Sequence, residues 1–135
     1  MQITFNDKTA LVTGAGSGIG AAIAMALATS GARVAVQDIA LDKAQAVAAT
    51  IIANGDAAMA LAGDVSDPGV VEGLVTQTVA WGGGLNLLVN NAGIGGPSAP
   101  TGEYPLDGWQ QVIGINLNGV FYGMRFGIPA MLKSG

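Results

Sequence analysis

Short apolar stretches alternate along the chain with longer stretches in which apolar residues recur every three or four positions. The short stretches predict strands at residues 9–13, 33–37, 57–62 and 85–90. The longer stretches predict helices at residues 17–30, 41–53, 67–81 and 106–132. The third strand is rich in alanine, so its assignment depends on its place in the alternation. Strands and helices that alternate in this way predict a parallel sheet with helices on both faces.

The same spacing predicts the face on which each helix packs. In the first helix the expected inward residues are Ile19, Ile23 and Leu27. In the second helix they are Ala44, Val47, Ala48, Ile51 and Ile52. One stripe of the last helix carries Trp109, Val112, Asn116, Val120, Met124 and Met131. Glycine also recurs there every four residues, at Gly119, Gly123 and Gly127. These glycines either let a neighbour pack closely or are only weak helix formers.

Composition narrows the class of protein and of chemistry. The length predicts one domain, residues 1–135. A hydrophobic fraction of 50% beside a charged fraction of 10% suggests that part of the surface binds a partner molecule. The net charge of −4 argues against nucleic acid as that partner. No apolar run could span a bilayer and no signal peptide is evident, so we expect no membrane partner and a cytoplasmic location. Cysteine and histidine are absent, so we expect no disulfide, no histidine base and no ordinary zinc site.

The glycine-rich stretch Thr13-Gly14-Ala15-Gly16-Ser17-Gly18-Ile19-Gly20 lies between the first strand and the first helix. Strand, glycine turn and helix form the arrangement that binds a nucleotide diphosphate, because glycines permit close approach and the helix start offers N–H groups. A glycine-rich loop with no function is the alternative. The candidate cofactor-binding residues here are Gly14, Ser17, Gly18, Ile19 and Gly20.

With the later Asn90-Asn91-Ala92-Gly93, the motif Thr13-Gly14-x-x-x-Gly18-Ile19-Gly20 resembles the short-chain dehydrogenase/reductase family. The resemblance runs from about Asp7 to the last residue. It implies a Rossmann-type doubly wound α/β fold. We expect four parallel strands in the order 3-2-1-4, without the family's C-terminal strands.

Asp38 ends the second strand and follows Gly20 by 18 residues. A carboxylate at this place can accept hydrogen bonds from the ribose hydroxyls and would repel a 2′-phosphate. No lysine or arginine lies in the glycine turn or directly after Asp38. The expected cofactor is therefore NAD rather than NADP. As the alternative, Asp38 could simply cap the next helix.

The resemblance implies further cofactor contacts at the ends of the third and fourth strands. It places Asp64 and Val65 in the adenine pocket, although Ser66 and Asp67 are better positioned to cap the next helix. It also implies both structural and cofactor roles for the fourth strand's end. The expected cofactor contacts there are Asn91, Ala92 and Gly93.

Asn116 corresponds in this resemblance to the active-site asparagine, which holds a water in the proton relay behind the catalytic lysine. An internally satisfied structural amide is the alternative. The family's Tyr-x-x-x-Lys pair does not occur, because Tyr104 and Tyr122 are followed four residues later by Gly108 and Phe126. We therefore expect the general acid to be missing. The chain would be an engineered or truncated fragment, the ordered part of a longer protein, or a natural short form.

The sequence thus predicts the cofactor-binding half of an NAD-dependent short-chain dehydrogenase/reductase. The intact parent would move a hydride between NAD and a small carbonyl or alcohol substrate. We expect a homo-oligomer, because the fourth strand would be an exposed edge and the last helix looks like the family's dimer helix. The alternative is a non-catalytic nucleotide-binding or interaction module. A methyltransferase-like site is disfavoured by both motifs.

Overall fold

The structure is a computed structural model that describes all 135 residues. Its strands are β1 (Thr9–Val12), β2 (Arg33–Asp38), β3 (Ala58–Ala62) and β4 (Leu87–Val89). They form one parallel sheet in the order β3-β2-β1-β4, which confirms the predicted order. In the middle of the sheet Leu11 of β1 lies between Ala35 of β2 and Leu88 of β4. Three of the four strands lie within one residue of the predicted bounds.

The helices are α1 (Gly18–Thr29), α2 (Leu41–Ala53), α3 (Pro68–Gly82), α4 (Leu106–Ile113) and α5 (Gly119–Ser134). A short 3₁₀ turn, Thr101–Glu103, precedes α4, and a π-helical turn, Gly114–Asn118, joins α4 to α5. The predicted last helix is therefore helical without a break from Leu106 to Ser134 but changes its winding in the middle. None of these helices combines the length and the apolar character that a membrane span requires.

Alternate residues of the strands belong to two apolar cores, one on each face of the sheet. Val12, Val34 and Val36 pack with α1 and α2 on one face. Leu11 and Ala35 pack with α3 and α5 on the other. The side chains of a strand point alternately to its two faces, so the central strands must be apolar on both sides. This arrangement confirms a doubly wound sheet with helices on both faces.

The predicted inward faces of α1 and α2 are confirmed at Ile23, Leu27, Val47 and Ile51, which pack in or against the core, but several other large apolar residues need correction. Ile19 is 75% exposed and Ile52 is 56% exposed, and Trp109 and Met124 also lie on the surface. In α1 the sheet is met instead by small residues, namely Gly20, Ala21, Ala24 and Ala28. Small side chains let the helix lie close to the sheet, while Ile23 and Leu27 pack against the core from the sides of this contact.

The three glycines of α5 confirm the close-packing interpretation. A Cβ on Gly119 would lie 2.9 Å from the Val65 Cγ2 atom. A Cβ on Gly127 would lie 2.6 Å from the Leu88 Cδ2 atom, and one on Gly123 would overlap the Asn90 side chain. The helix therefore rests directly on the ends of β3 and β4.

The fourth strand is shorter than predicted and only half-buried. It pairs with β1 on one side and has no strand on its other side. Before it, the Thr9 N–H donates to the Asn86 side-chain oxygen at 2.9 Å, so a side chain takes over one bond of the ladder. The expected open edge is therefore present.

Candidate functional site

A cleft of about 480 Å³ opens at the carboxyl ends of the four strands. Ten of the eleven predicted cofactor-binding residues line it. They are Gly14, Ser17, Gly18, Ile19, Asp38, Asp64, Val65, Asn91, Ala92 and Gly93. The carboxyl edge of an open parallel sheet, where the strand order reverses, is the usual place for a ligand. Here the order reverses between β1 and β4.

Two other clefts have similar volumes and different surroundings. One of about 400 Å³ lies at the amino edge of the sheet, beside Asn6 and Arg33. The other, of about 490 Å³, lies between α3 and α5. Neither is lined by a predicted site residue.

The glycines of the turn meet different physical demands. Gly14 has a left-handed φ of +61°, and a Cβ there would lie 2.8 Å from the Ala92 Cα atom. Gly18 also has a left-handed φ of +55°, but a Cβ there would meet no protein atom within 4 Å. Gly20 does not line the cleft, and a Cβ on it would overlap the Gly14 carbonyl oxygen and the Asn91 amide. Gly14 and Gly20 thus permit close packing of the protein, whereas Gly18 leaves space beside the cleft.

The amino terminus of α1 is open toward the cleft. Ser17 precedes the helix in an extended conformation, makes no capping hydrogen bond, and no acidic residue lies in the first turn. By contrast, α3 is capped by Asp67, whose Oδ1 accepts the Gly69 N–H at 2.8 Å. The first N–H groups of a helix have no partner within it and carry a partial positive charge. The start of α1 can therefore bind an anion.

Gln37 is a site residue that the sequence reasoning missed. It is 1% exposed, its Oε1 accepts the Gly14 N–H at 3.2 Å, and its Nε2 donates to the Gly63 oxygen at 2.7 Å. The side chain thus ties the glycine turn to the end of β3. A lone amide at the end of an otherwise apolar strand was the available signal.

Thr13 and Asn91 hold the end of β4 against the glycine turn. The Thr13 Oγ1 accepts the N–H groups of Asn91 at 3.0 Å and of Ala92 at 3.1 Å. In return, the Asn91 side-chain amide donates to the oxygens of Thr13 and Gly14, both at 3.0 Å. These bonds give Asn91 a structural role, because they tie the end of β4 to the end of β1.

Asp38 lies half-buried in the wall of the cleft. Its Oδ2 accepts the Gly16 N–H and its Oδ1 accepts the Ala40 N–H, both at 3.0 Å. Ala40 directly precedes α2, so the carboxylate supports the start of that helix as well as the turn. An ionised carboxylate has about four acceptor sites, so roughly two remain for a ligand.

Asp64 and Val65 lie side by side but differ in exposure. The Asp64 Oδ1 accepts the Ser66 N–H at 2.9 Å and the Ser66 hydroxyl at 2.7 Å, and the residue is exposed. Val65 is buried where α5 crosses the end of β3. Asp67 is the helix cap, as expected. Asp64 uses only its Oδ1 for the bonds to Ser66, so its second oxygen can face a ligand.

Asn116 lies in the π-helical turn and does not line the cleft. Its Oδ1 accepts the Ile94 N–H and its Nδ2 donates to the Ile94 oxygen, both at 2.8 Å. Its amide is therefore satisfied within the protein, as in the structural alternative, although the residue is exposed rather than part of a buried apolar stripe. It fixes the loop that follows β4, and its neighbour Ile115 reaches the cleft.

The remaining wall of the cleft could not be anticipated from motifs. Besides Gln37, these residues are Ile39, Gly63, Ile94, Gln111 and Ile115. Lysine, arginine and tyrosine are absent from the lining. No group of three or more acidic side chains is placed to hold a metal ion.

Comparison with known proteins assigns nearly the whole chain to the family that its sequence motifs resemble. The family model described as short chain dehydrogenase matches residues 8–135. The cyclohexanol dehydrogenase of Acinetobacter sp. (strain SE19) is 44% identical over 135 residues, which are 100% of this chain and 54% of that protein. The 2-dehydro-3-deoxy-L-rhamnonate dehydrogenase (NAD(+)) of Sphingomonas sp. (strain SKA58) is 39% identical over 97% of this chain and 51% of its own. The chain thus spans about half the length of the curated relatives it matches.

Solved structures agree with this comparison. A dehydrogenase/reductase from Sinorhizobium meliloti 1021 superposes with a TM-score of 0.92 at 39% identity, over 96% of this chain and 52% of that one. A metagenomic short-chain oxidoreductase in complex with NADP gives a TM-score of 0.90 at 34% identity, over 99% of this chain and 60% of that one.

Proposed function

Because this chain belongs to the short-chain dehydrogenase family, we propose that residues 1–135 form the NAD-binding domain of an NAD-dependent oxidoreductase. The whole protein would transfer a hydride between NAD(H) and a small carbonyl or alcohol substrate. The observation that carries the proposal is the cleft at the carboxyl edge of the sheet, which collects ten of the predicted residues.

The chemistry of the cleft fits a dinucleotide. The uncapped start of α1 provides N–H donors for a diphosphate, and Gly18 leaves space beside them. Asp38 offers its remaining acceptor sites to ribose hydroxyls. Asp64 and Val65 supply one polar and one apolar wall for a purine. When bound, NAD supplies the hydride acceptor, while the residues of this chain hold and orient it.

The choice of NAD over NADP is supported by the charges around Asp38. Its carboxylate would repel a 2′-phosphate, and no lysine or arginine lines the cleft to offset that repulsion. Among the compared proteins one is named as NAD(+)-dependent and another is described with NADP. The family therefore leaves the choice open, and the proposal depends on this residue.

We expect this chain to bind NAD at least about tenfold more tightly than NADP, which corresponds to about 1–2 kcal/mol. Isothermal titration calorimetry with both cofactors measures the ratio directly. Asp38→Ala should lower the ratio of NAD affinity to NADP affinity, because it removes both the acceptor for the ribose hydroxyls and the charge that repels a 2′-phosphate. Asp42→Ala, which removes an equal charge from the first turn of α2 outside the cleft lining, is the matched control. Equal or tighter binding of NADP by the unchanged chain would contradict the proposal.

A non-catalytic nucleotide-binding or interaction module is the second candidate for this chain by itself. The observation in its favour is that no tyrosine, lysine, histidine or cysteine lines the cleft. Nucleotide binding is expected in both cases, so only turnover separates the two candidates. In the whole protein, Asn116 would belong to the proton relay and would position the loop through Ile94.

We further propose that the chain associates with itself. Apolar side chains form an exposed stripe along the last helix: Leu117, Phe121, Met124, Ile128 and Leu132. The free edge of β4 adds unpaired backbone groups. Burial of such a stripe between two copies would remove apolar surface from water.

Light scattering should show a mass that rises with concentration above that of a monomer. Substituting both Phe121 and Ile128 by glutamate should shift the protein toward monomer. Ile52→Glu changes an equally exposed isoleucine on α2 and should leave association unchanged. A monodisperse monomer at high concentration would rule the association out.

A further inference from the structure

Gly16 differs from the other glycines of the turn. Its φ is not in the left-handed region, unlike those of Gly14 and Gly18, so its backbone conformation is open to any residue. A Cβ on Gly16 would nevertheless lie 2.7 Å from the Asp38 Oδ2 atom. It would also lie 2.8 Å from both the Asp38 Cγ atom and the Lys43 Cβ atom. The position is therefore restricted by space and not by conformation.

The same residue holds the carboxylate through its backbone. The Gly16 N–H donates to the Asp38 Oδ2 at 3.0 Å, while the Ala40 N–H holds the other oxygen. The carboxylate of Asp38 occupies the volume that a methyl group on residue 16 would fill. The hydrogen bond from the Gly16 N–H can therefore form only because this residue has no side chain. Asp38 thereby packs against the turn with its orientation fixed from two sides.

Only one of the two neighbours of Gly16 can yield to an added methyl group. The Lys43 Cβ is fixed by the backbone of α2, whereas the carboxylate of Asp38 can rotate about its side-chain bonds. A methyl group would therefore push the carboxylate away and break the bond from the Gly16 N–H, and it would also press the turn away from α2, because the Lys43 Cβ cannot move. The acceptor that faces the cleft would move with the carboxylate.

We propose that Gly16 is a positioning residue that acts through Asp38 to set the preference for NAD over NADP. The inference rests on the proposed function, since it gives Asp38 the role of recognising the ribose hydroxyls. It assigns to Gly16 no contact with the cofactor itself, because Gly16 does not line the cleft. Its effect should consequently appear in the ratio of the two affinities and should require the Asp38 carboxylate.

The test measures the dissociation constants for NAD and NADP by calorimetry in the unchanged chain, Gly16→Ala, Asp38→Ala and the double variant. Gly16→Ala should lower the ratio of NAD affinity to NADP affinity about tenfold, as expected when Asp38 loses one charge-assisted hydrogen bond to the ribose, whereas any loss caused by displacement of the turn falls on both cofactors alike. In the Asp38→Ala background the same substitution should change the ratio less than about twofold, because the group through which it acts is gone. Gly73→Ala is the control, since a Cβ there meets only the Gln77 amide, at 3.9 Å.

The outcomes separate this inference from the proposed function. If Asp38→Ala leaves the ratio unchanged, the role given to Asp38 is wrong and the inference falls with it. If Asp38→Ala lowers the ratio of NAD affinity to NADP affinity but Gly16→Ala does not, only the inference about Gly16 is overturned. An equal loss for both cofactors, or an undiminished effect in the double variant, overturns it too. Gly16→Ser, which adds a larger group, should narrow the ratio at least as far as alanine does, and thermal melts identify any variant that is unfolded.

Discussion

Replacing Gly18 by valine is expected to weaken NAD binding at least about a hundredfold, or about 3 kcal/mol. Gly18 lines the cleft at the first residue of α1, and a Cβ there would meet no protein atom within 4 Å. The added side chain would therefore enter space that the protein leaves empty beside the free N–H groups. A branched side chain also resists the left-handed φ of +55° and would distort the turn.

A matched variant separates loss of the site from backbone strain. Gly83 has a left-handed φ of +81° and no atom within 4 Å of an added Cβ, but it lies at the end of α3, away from the cleft. Gly83→Val should cost stability through similar strain, about 1–3 kcal/mol, and leave NAD affinity unchanged. Helical circular dichroism of both variants should resemble that of the unchanged chain. Unaltered affinity in Gly18→Val would mean that the diphosphate binds elsewhere.

We also expect that this chain alone does not catalyse hydride transfer. Reduction of a carbonyl requires a proton donor as the alkoxide forms, and a positioned acid contributes roughly 10²- to 10⁴-fold. The cleft contains neither tyrosine nor lysine, and the chain has no histidine or cysteine. Tyr122 is partly buried against the core on the α3 and α5 face, and neither Tyr122 nor Tyr104 lines the cleft.

The measurement is a steady-state assay that follows NADH absorbance with a panel of ketones and secondary alcohols. The measured mass of the assayed protein must match that of the 135-residue chain. We expect turnover at least about a hundredfold below the ordinary enzyme rate of about 10 per second. An active alcohol dehydrogenase assayed alongside verifies the substrates and the detection. Turnover near one per second or faster by this chain would show that another residue serves as the acid. A longer protein that contains this chain should, in contrast, be an active dehydrogenase.

The alternation of strands and helices could be predicted because it depends on short-range signals, whereas the strand order and the cleft residues at the ends of β3 and β4 were implied by the resemblance to the family. Apolar strands bounded by glycine, asparagine or aspartate give the alternation, and the alternation determines a parallel sheet. The carboxyl ends of such strands meet at one edge, so Asp38, Asp64 and Asn91 had to lie close together. The burial of Gly20 behind the turn, out of the cleft, was not evident from its place in the motif.

The helix faces and the network behind the cleft could not be predicted in the same way. Large apolar residues indicated the face of α1 only in part: Ile23 and Leu27 pack against the core, but the fully buried positions are glycine and alanine, and Ile19 is exposed. The π-helical turn that carries Asn116 inserts a different winding into a stretch whose sequence indicates a simple helix. Gln37 bonds to Gly14 and Gly63, which are 23 and 26 residues away. Pairings of that length are evident only once the strands have been placed.

The central claim is that the cleft at the carboxyl edge of the sheet binds the dinucleotide, and backbone amide spectra of the ¹⁵N-labelled chain during an NAD titration test it most directly. We expect saturable shift changes concentrated in the glycine turn, around Asp38, and at the ends of β3 and β4. The groove between α3 and α5 and the cleft at the amino edge should remain unperturbed, which provides a control within the same spectrum. Changes that map to either of those places, or spectra that NAD leaves unaltered at millimolar concentration, would contradict the account.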